Sequence, residues 1–141
     1  MIRRFVIGMA VVGVGSLWGA ALVAQQALRP ASSGVFSADQ AKRGQTIYAS
    51  ECSKCHLDDL SGGKDSPPLV GDDFMSGWKG KTVAALFDEV RMTMPFDGPG
   101  KLTAEQYADL IAYLLSANKF PAGSKDLEHE VAPLQQIRIE K

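Results

Sequence analysis

Cys52, Cys55 and His56 stand together in ECSKCH, residues 51–56; they are both cysteines of the chain and one of its two histidines. Two thiols three positions apart, with an imidazole directly after the second, admit three chemistries: a zinc clip, a redox disulfide, or covalent attachment of a haem. Structural zinc wants four ligands, commonly from a second Cys or His pair, and the only other histidine, His129, lies far downstream in a polar tail. A thioredoxin-like CxxC opens a helix after a strand, whereas this one follows a helical pattern with no βαβ unit around it. A plain disulfide is awkward at this separation and leaves His56 without a role. Haem attachment uses all three residues: the thiols add to the two vinyl groups on one porphyrin edge, and the imidazole reaches the iron from the same side.

An iron held by His56 needs a donor on its other face. Outside the N-terminal segment the thioethers are Met75, Met92 and Met94. Met92 continues a helical pattern and would pack or project outward. Met94 precedes Pro95, which drives it out of the helical region into an extended conformation. From a loop such as TMPFDGPG its thioether can turn toward a flat macrocycle, and the 38 residues from His56 give ample reach. Met94 is the expected second ligand, with Met92 and an open or otherwise filled site as the alternatives.

The elements that must position these residues are helical. Ser37 with Gln40 forms the pattern of a capping box, after which Ala41, Gly44, Tyr48 and Cys52 fall on one helix face. Gly44 in mid-helix costs about 1 kcal/mol against Ala, which close approach of another helix would offset. KTVAALFDEVR, residues 81–91, reads as a helix capped by Thr82. TAEQYADLIAYLLSANKF, residues 103–120, opens with a second box, Thr103 with Gln106. It carries Tyr107, Leu110, Ile111, Leu114 and Leu115 as an apolar stripe and ends near Asn118 and Pro121. No stretch alternates convincingly as a strand, and residues 57–80 read as a long Gly/Pro-rich loop.

Four segments follow. Arg3 and Arg4 precede the uncharged run 5–24, and 1–24 fits either a cleaved export signal or an uncleaved membrane anchor. Both outcomes carry the body of the chain out of the cytoplasm, and only the anchor makes the membrane a partner. Residues 25–36 read as a linker, 37–120 as the folded domain, and 121–141 as an extension. Leu127, Val131, Leu134, Ile137 and Ile139 of that extension imply packing on the domain or on a partner. With a formal net charge of −1 and no run of Lys or Arg, nucleic acid is excluded as a partner. Aromatic residues make up only 8%, so a small core is expected to gain from a cofactor.

Over residues 37–120 the chain resembles a class I c-type cytochrome. CxxCH follows a helix bearing a glycine and an aromatic, Gly44 and Tyr48; PPLVG, residues 67–71, matches a P-x-L-x-G segment; Met94–Pro95 and the pair Tyr113–Leu114 complete the order. The resemblance implies an all-α small cytochrome c fold, with short helices and long loops wrapped around one covalent haem c. It implies a Pro67 carbonyl that accepts a hydrogen bond from His56, and a last helix that crosses the first at Gly44. Leu69, Phe74 and Phe96 are expected to line the pocket. Trp78 is expected either to donate to a haem propionate or to pack on the haem edge. Lys79 and Lys81 could pair with propionates or a partner's carboxylates, though exposed lysines are more often solvated. Two strong axial ligands leave no open position, so the implied role is one-electron transfer rather than catalysis.

YLLSANKFPAGSKDL and IRI further resemble cytochromes associated with bacterial quinoprotein dehydrogenases. That implies a periplasmic protein of a Gram-negative bacterium, with a dehydrogenase as donor and a terminal oxidase or another cytochrome as acceptor. A peroxidase or gas sensor with a labile sixth ligand, and a tightly bound subunit of a dehydrogenase complex, are the competing readings.

Overall fold

The computed structural model describes residues 28–141; the segment 1–24 read as signal or anchor lies outside the described residues. Among the described residues no helix is long and apolar enough to cross a membrane. Helices dominate, in the order α1 (Ala38–Glu51), α2 (Ser53–His56), α3 (Gly71–Trp78), α4 (Val83–Thr93), α5 (Ala104–Ala117) and α6 (Val131–Leu134). Two strands of two residues, β1 (Arg29–Pro30) and β2 (Ile137–Arg138), pair in parallel.

Helix starts follow side-chain chemistry. The Ser37 hydroxyl accepts from the Gln40 amide at 3.0 Å, Thr82 from Ala85 at 3.2 Å, and Thr103 from Gln106 at 3.2 Å. At α5 the box is complete, because the Gln106 side chain accepts from the Thr103 amide at 2.9 Å. At α1 the expected reciprocal bond does not form. Gln40 is buried and turns inward, donating to the Leu127 carbonyl at 3.0 Å and accepting from the Leu127 amide at 2.6 Å. Two buried backbone groups of the extension would otherwise lack partners, and satisfying them outweighs a solvent-side cap.

The main packing is α1 across α5, at Gly44. A Cβ at Gly44 would lie 1.9 Å from the Asp109 carbonyl oxygen and 2.9 Å from the Tyr113 Cβ, so the two backbones touch where the side chain is missing. That is the close approach anticipated from the mid-helix glycine. Tyr48 and Tyr113 pack nearby with ring centres 5.3 Å apart and planes tilted at 51°.

Two segments correct the sequence reading. The stretch 57–80 is not all loop, since α3 lies within it. Its two glycines and serine hide the helical pattern, yet Asp72 and Asp73 favour the positive N-terminal dipole and Phe74 anchors the inner face. Nor are residues 28–36 of the expected linker a free connection. Arg29–Pro30 pairs with the extension, a 3₁₀ turn covers Ala31–Ser33, and Ala31, Val35 and Phe36 are buried. In the extension Leu127, Leu134, Ile137 and Ile139 are buried in the same core and Val131 packs against it.

Further contacts fasten the extension to the helices. Ile139 donates to the Lys81 carbonyl and accepts from Gly80, both at 2.9 Å, just before α4. Arg43 on α1 grips Asp109 of α5 through two bonds of 2.9 Å and reaches Asp126 at 2.7 Å.

Candidate functional site

The CxxCH residues form one helical turn hung from the end of α1. Cys52 donates to the Tyr48 carbonyl at 2.9 Å, and Cys55 and His56 both donate back to the Cys52 carbonyl, at 3.1 and 3.0 Å. Leu57 then stops the turn with φ 63° and ψ 159°, a conformation that L residues rarely adopt. The Tyr48 hydroxyl holds that residue by donating to its carbonyl at 2.6 Å. Cys52 is partly buried and Cys55 exposed, both as free thiols. Burial first, then the charge of Glu51, push the Cys52 thiol up to about 11, with Lys101 opposing.

His56 is buried, and its Nδ1 lies 2.9 Å from the Pro67 carbonyl. A carbonyl only accepts, so Nδ1 carries the proton and Nε2 is left as a free donor to a metal. The chain reaches this geometry by folding 57–69 back on itself: Gly62 donates to the His56 carbonyl at 3.1 Å, and Leu69 donates to Leu60 at 2.8 Å. Gly62 has φ 80°, and a Cβ there would lie 2.5 Å from the Ser66 carbonyl and 2.7 Å from Pro67. Only glycine lets the two limbs meet and deliver Pro67 to the imidazole.

Asn118, read only as a helix end, pins the same segment. Its amide donates to Leu69 and Leu114, both at 2.9 Å, and its oxygen accepts from Gly71 at 3.0 Å. An amide side chain placed where an apolar stripe ends is the sequence signal that could have found it.

Met94 caps α4 with φ −128° and ψ 153°, the extended conformation its proline neighbour predicts. It is half-buried, while Met92 on the last turn of α4 is 71% exposed. The Tyr107 hydroxyl donates to the Met94 carbonyl at 2.8 Å and accepts from the Gly100 amide at 3.0 Å. Lys101 closes the loop onto the end of α1, pairing with Glu51 at 2.7 Å and Asp97 at 3.2 Å.

The softer expectations divide. Leu69 and Trp78 are partly buried against the core, and the Lys81 ammonium lies 4.7 Å from the Trp78 ring centre, a cation–π contact. Lys79 is exposed. Phe74 is enclosed by the core, tilted against Trp78. Phe96 is 87% exposed, so the polypeptide itself gives it no pocket to line. Met75 borders a cleft of about 640 Å³ with Tyr113 and Asn118. His129 sits at the surface near Glu130 and Glu105, at 3.4 and 3.6 Å.

The large apolar side chains left exposed among the described residues are Leu57, Met92 and Phe96. Each lies within two positions of His56 or Met94. Exposed apolar surface gathered at two prospective donors fits an apolar, metal-bearing group whose seating would remove it from water. The residues present therefore fit a haem, with Cys52 and Cys55 for its covalent attachment and His56 for its iron.

A family model described as cytochrome C oxidase, cbb3-type, subunit III matches residues 39–114, more than half of the chain. The chain belongs to this cytochrome c family. Membership implies covalently bound haem c with its iron. Photosystem II extrinsic protein V of Synechococcus sp. (strain JA-3-3Ab) is 32% identical over 106 residues, covering 68% of this chain; the chain spans only 57% of that protein's length. The sulfane dehydrogenase SoxCD from Paracoccus pantotrophus superposes with a TM-score of 0.52 at 22% identity, over 91% of this chain and 67% of that one. At that identity the likeness supports the fold alone, an all-α cytochrome c fold.

Proposed function

We propose that this cytochrome carries single electrons outside the cytoplasm, through one haem c attached to Cys52 and Cys55 and ligated by His56 and Met94. The observation that carries the proposal is the His56–Pro67 hydrogen bond of 2.9 Å, which fixes the tautomer and orients the ring. When bound, haem c supplies a one-electron ferric/ferrous couple. The chain's own residues do the rest. Pro67 keeps Nε2 aimed and basic, Met94 offers a thioether from a braced extended loop, and Leu69 and Trp78, partly buried against the core, offer apolar surface to the group. With His56 and Met94 both holding the iron, the thioether and imidazole would favour the reduced state and raise the potential.

The donor we propose is a periplasmic dehydrogenase of the quinoprotein kind, and the acceptor a terminal oxidase or another cytochrome. Export is supported by Arg3–Arg4 ahead of the uncharged run 5–24, and a dehydrogenase partner by the tail motifs. Potentiometric titration with parallel carbon monoxide exposure tests the carrier role. A carrier titrates reversibly with one electron and its reduced form ignores carbon monoxide. Ready carbon monoxide binding, or turnover of peroxide, would replace the carrier with an open-site haem protein.

A further inference from the structure

We infer that Tyr107 is the positioning residue for Met94: its hydroxyl clamps both stems of loop 94–100 and so holds the thioether donor in place. The inference rests on the proposed ligation by Met94. Tyr107 sits in the apolar stripe of α5 and is fully buried, yet it bears the one hydroxyl of that stripe's inner face that reaches the loop. There it donates to the Met94 carbonyl at 2.8 Å and accepts from the Gly100 amide at 3.0 Å. One atom thus satisfies the group at each end of the loop, from a helix made rigid by its packing on α1. The ring is seated edge-on against Phe87 of α4, with centres 6.2 Å apart and planes at 74°. Because α4 ends at Met94, the same side chain fixes the helix that enters the loop and the backbone that leaves it.

Packing alone would be served equally by phenylalanine. The hydroxyl adds two hydrogen bonds that phenylalanine cannot make, leaving a carbonyl and an amide unpaired at the residue whose conformation matters most. Loosening those bonds frees Met94 to swing away without unfolding the domain. An external ligand should then compete more easily for the iron.

The experiment measures imidazole binding to the oxidised holoprotein, read by loss of the long-wavelength thioether-to-iron charge-transfer band. Wild type, Tyr107→Phe, Gln40→Ala and Met94→Ala are compared, each with a denaturation midpoint. Tyr107→Phe should keep the band without imidazole and lose it at about tenfold lower imidazole, the equivalent of one net hydrogen bond. Gln40→Ala, which loosens the extension far from the loop, should lower the denaturation midpoint while leaving imidazole affinity at the wild-type value. A Tyr107→Phe protein that is destabilised but binds imidazole as wild type does overturns the inference, making Tyr107 structural only. A wild-type protein without the band, or a band that survives Met94→Ala, overturns instead the ligation beneath it. If Tyr107→Phe does not accumulate, hydrogen exchange on wild type decides. The Gly100 amide should be protected and lose that protection when imidazole is added; exchange at an open-loop rate from the start refutes the clamp.

Discussion

Gly44 in α1 and Gly77 in α3 both lie inside helices, and replacing each by alanine should have opposite effects. At Gly44 a new Cβ would stand 1.9 Å from the Asp109 carbonyl oxygen and 2.5 Å from its carbon, both backbone atoms of α5. Ordinary contact begins near 3.4 Å, so α1 and α5 must part by more than an ångström along their main interface. Overpacking of this kind costs about 1–3 kcal/mol, and more where the obstacle is backbone that cannot rotate away. Alanine returns about 1 kcal/mol of helix propensity, so with the backbone obstacle putting the cost at the upper end of that range or above, the net expected loss is roughly 2 kcal/mol or more. For a domain of this size that is a melting point lower by on the order of 10 °C. At Gly77 in α3, nothing stands within 4 Å of the new Cβ and φ is ordinary. Gly77→Ala should therefore gain about 0.5–1 kcal/mol. Urea denaturation of the two holoprotein variants beside wild type reads both signs. If Gly44→Ala is neutral or stabilising like Gly77→Ala, the helix crossing is wrongly placed.

Three further outcomes follow from the contacts. Gln40→Ala removes both bonds to buried Leu127 and should cost about 1–3 kcal/mol in urea denaturation, with faster proteolysis of the extension as its local signature. Gly62→Ala forces 57–69 apart and should break the His56–Pro67 contact, seen as a changed His56 Nδ1 proton resonance in the reduced protein. Asp126 is held below its usual range by the Ser37 hydroxyl and then by Arg43. A carboxylate with a lowered folded pKa contributes stability above its unfolded value of 3.8 and loses it as pH falls through the folded one. Asp126→Asn should therefore be less stable at neutral pH by at most about 1 kcal/mol, given solvent exposure, and the gap should close below the usual carboxylate range.

The parts legible from residue types were those set by local chemistry. Thr82 and Thr103 announced their helices, Pro95 announced the extended Met94, and Gly44 announced a crossing, because each acts on its own backbone or by its own missing side chain. Relations across the chain were harder to read. Gln40 fitted a capping box as well as it fits Leu127, and only the distant extension decides between them. Tyr107 and Asn118 looked like members of an apolar stripe and a helix stop, since their polar atoms find partners 7 to 49 residues away. Helix α3 was hidden because Phe74 and the first-turn carboxylates, rather than propensity, hold it. The pairing of Arg29–Pro30 with Ile137–Arg138 is too short to show any alternation.

The central claim is that His56 and Met94 hold one iron between them. Carbon-13 labelling of the methionine methyl groups, followed by NMR of the reduced holoprotein, tests it most directly. One methyl, and one only, should be shifted far upfield by the ring current of the macrocycle, and Met94→Leu should abolish that signal while Met75→Leu and Met92→Leu leave it. A reduced protein with no upfield methyl, or one whose upfield methyl persists in Met94→Leu, would contradict the account.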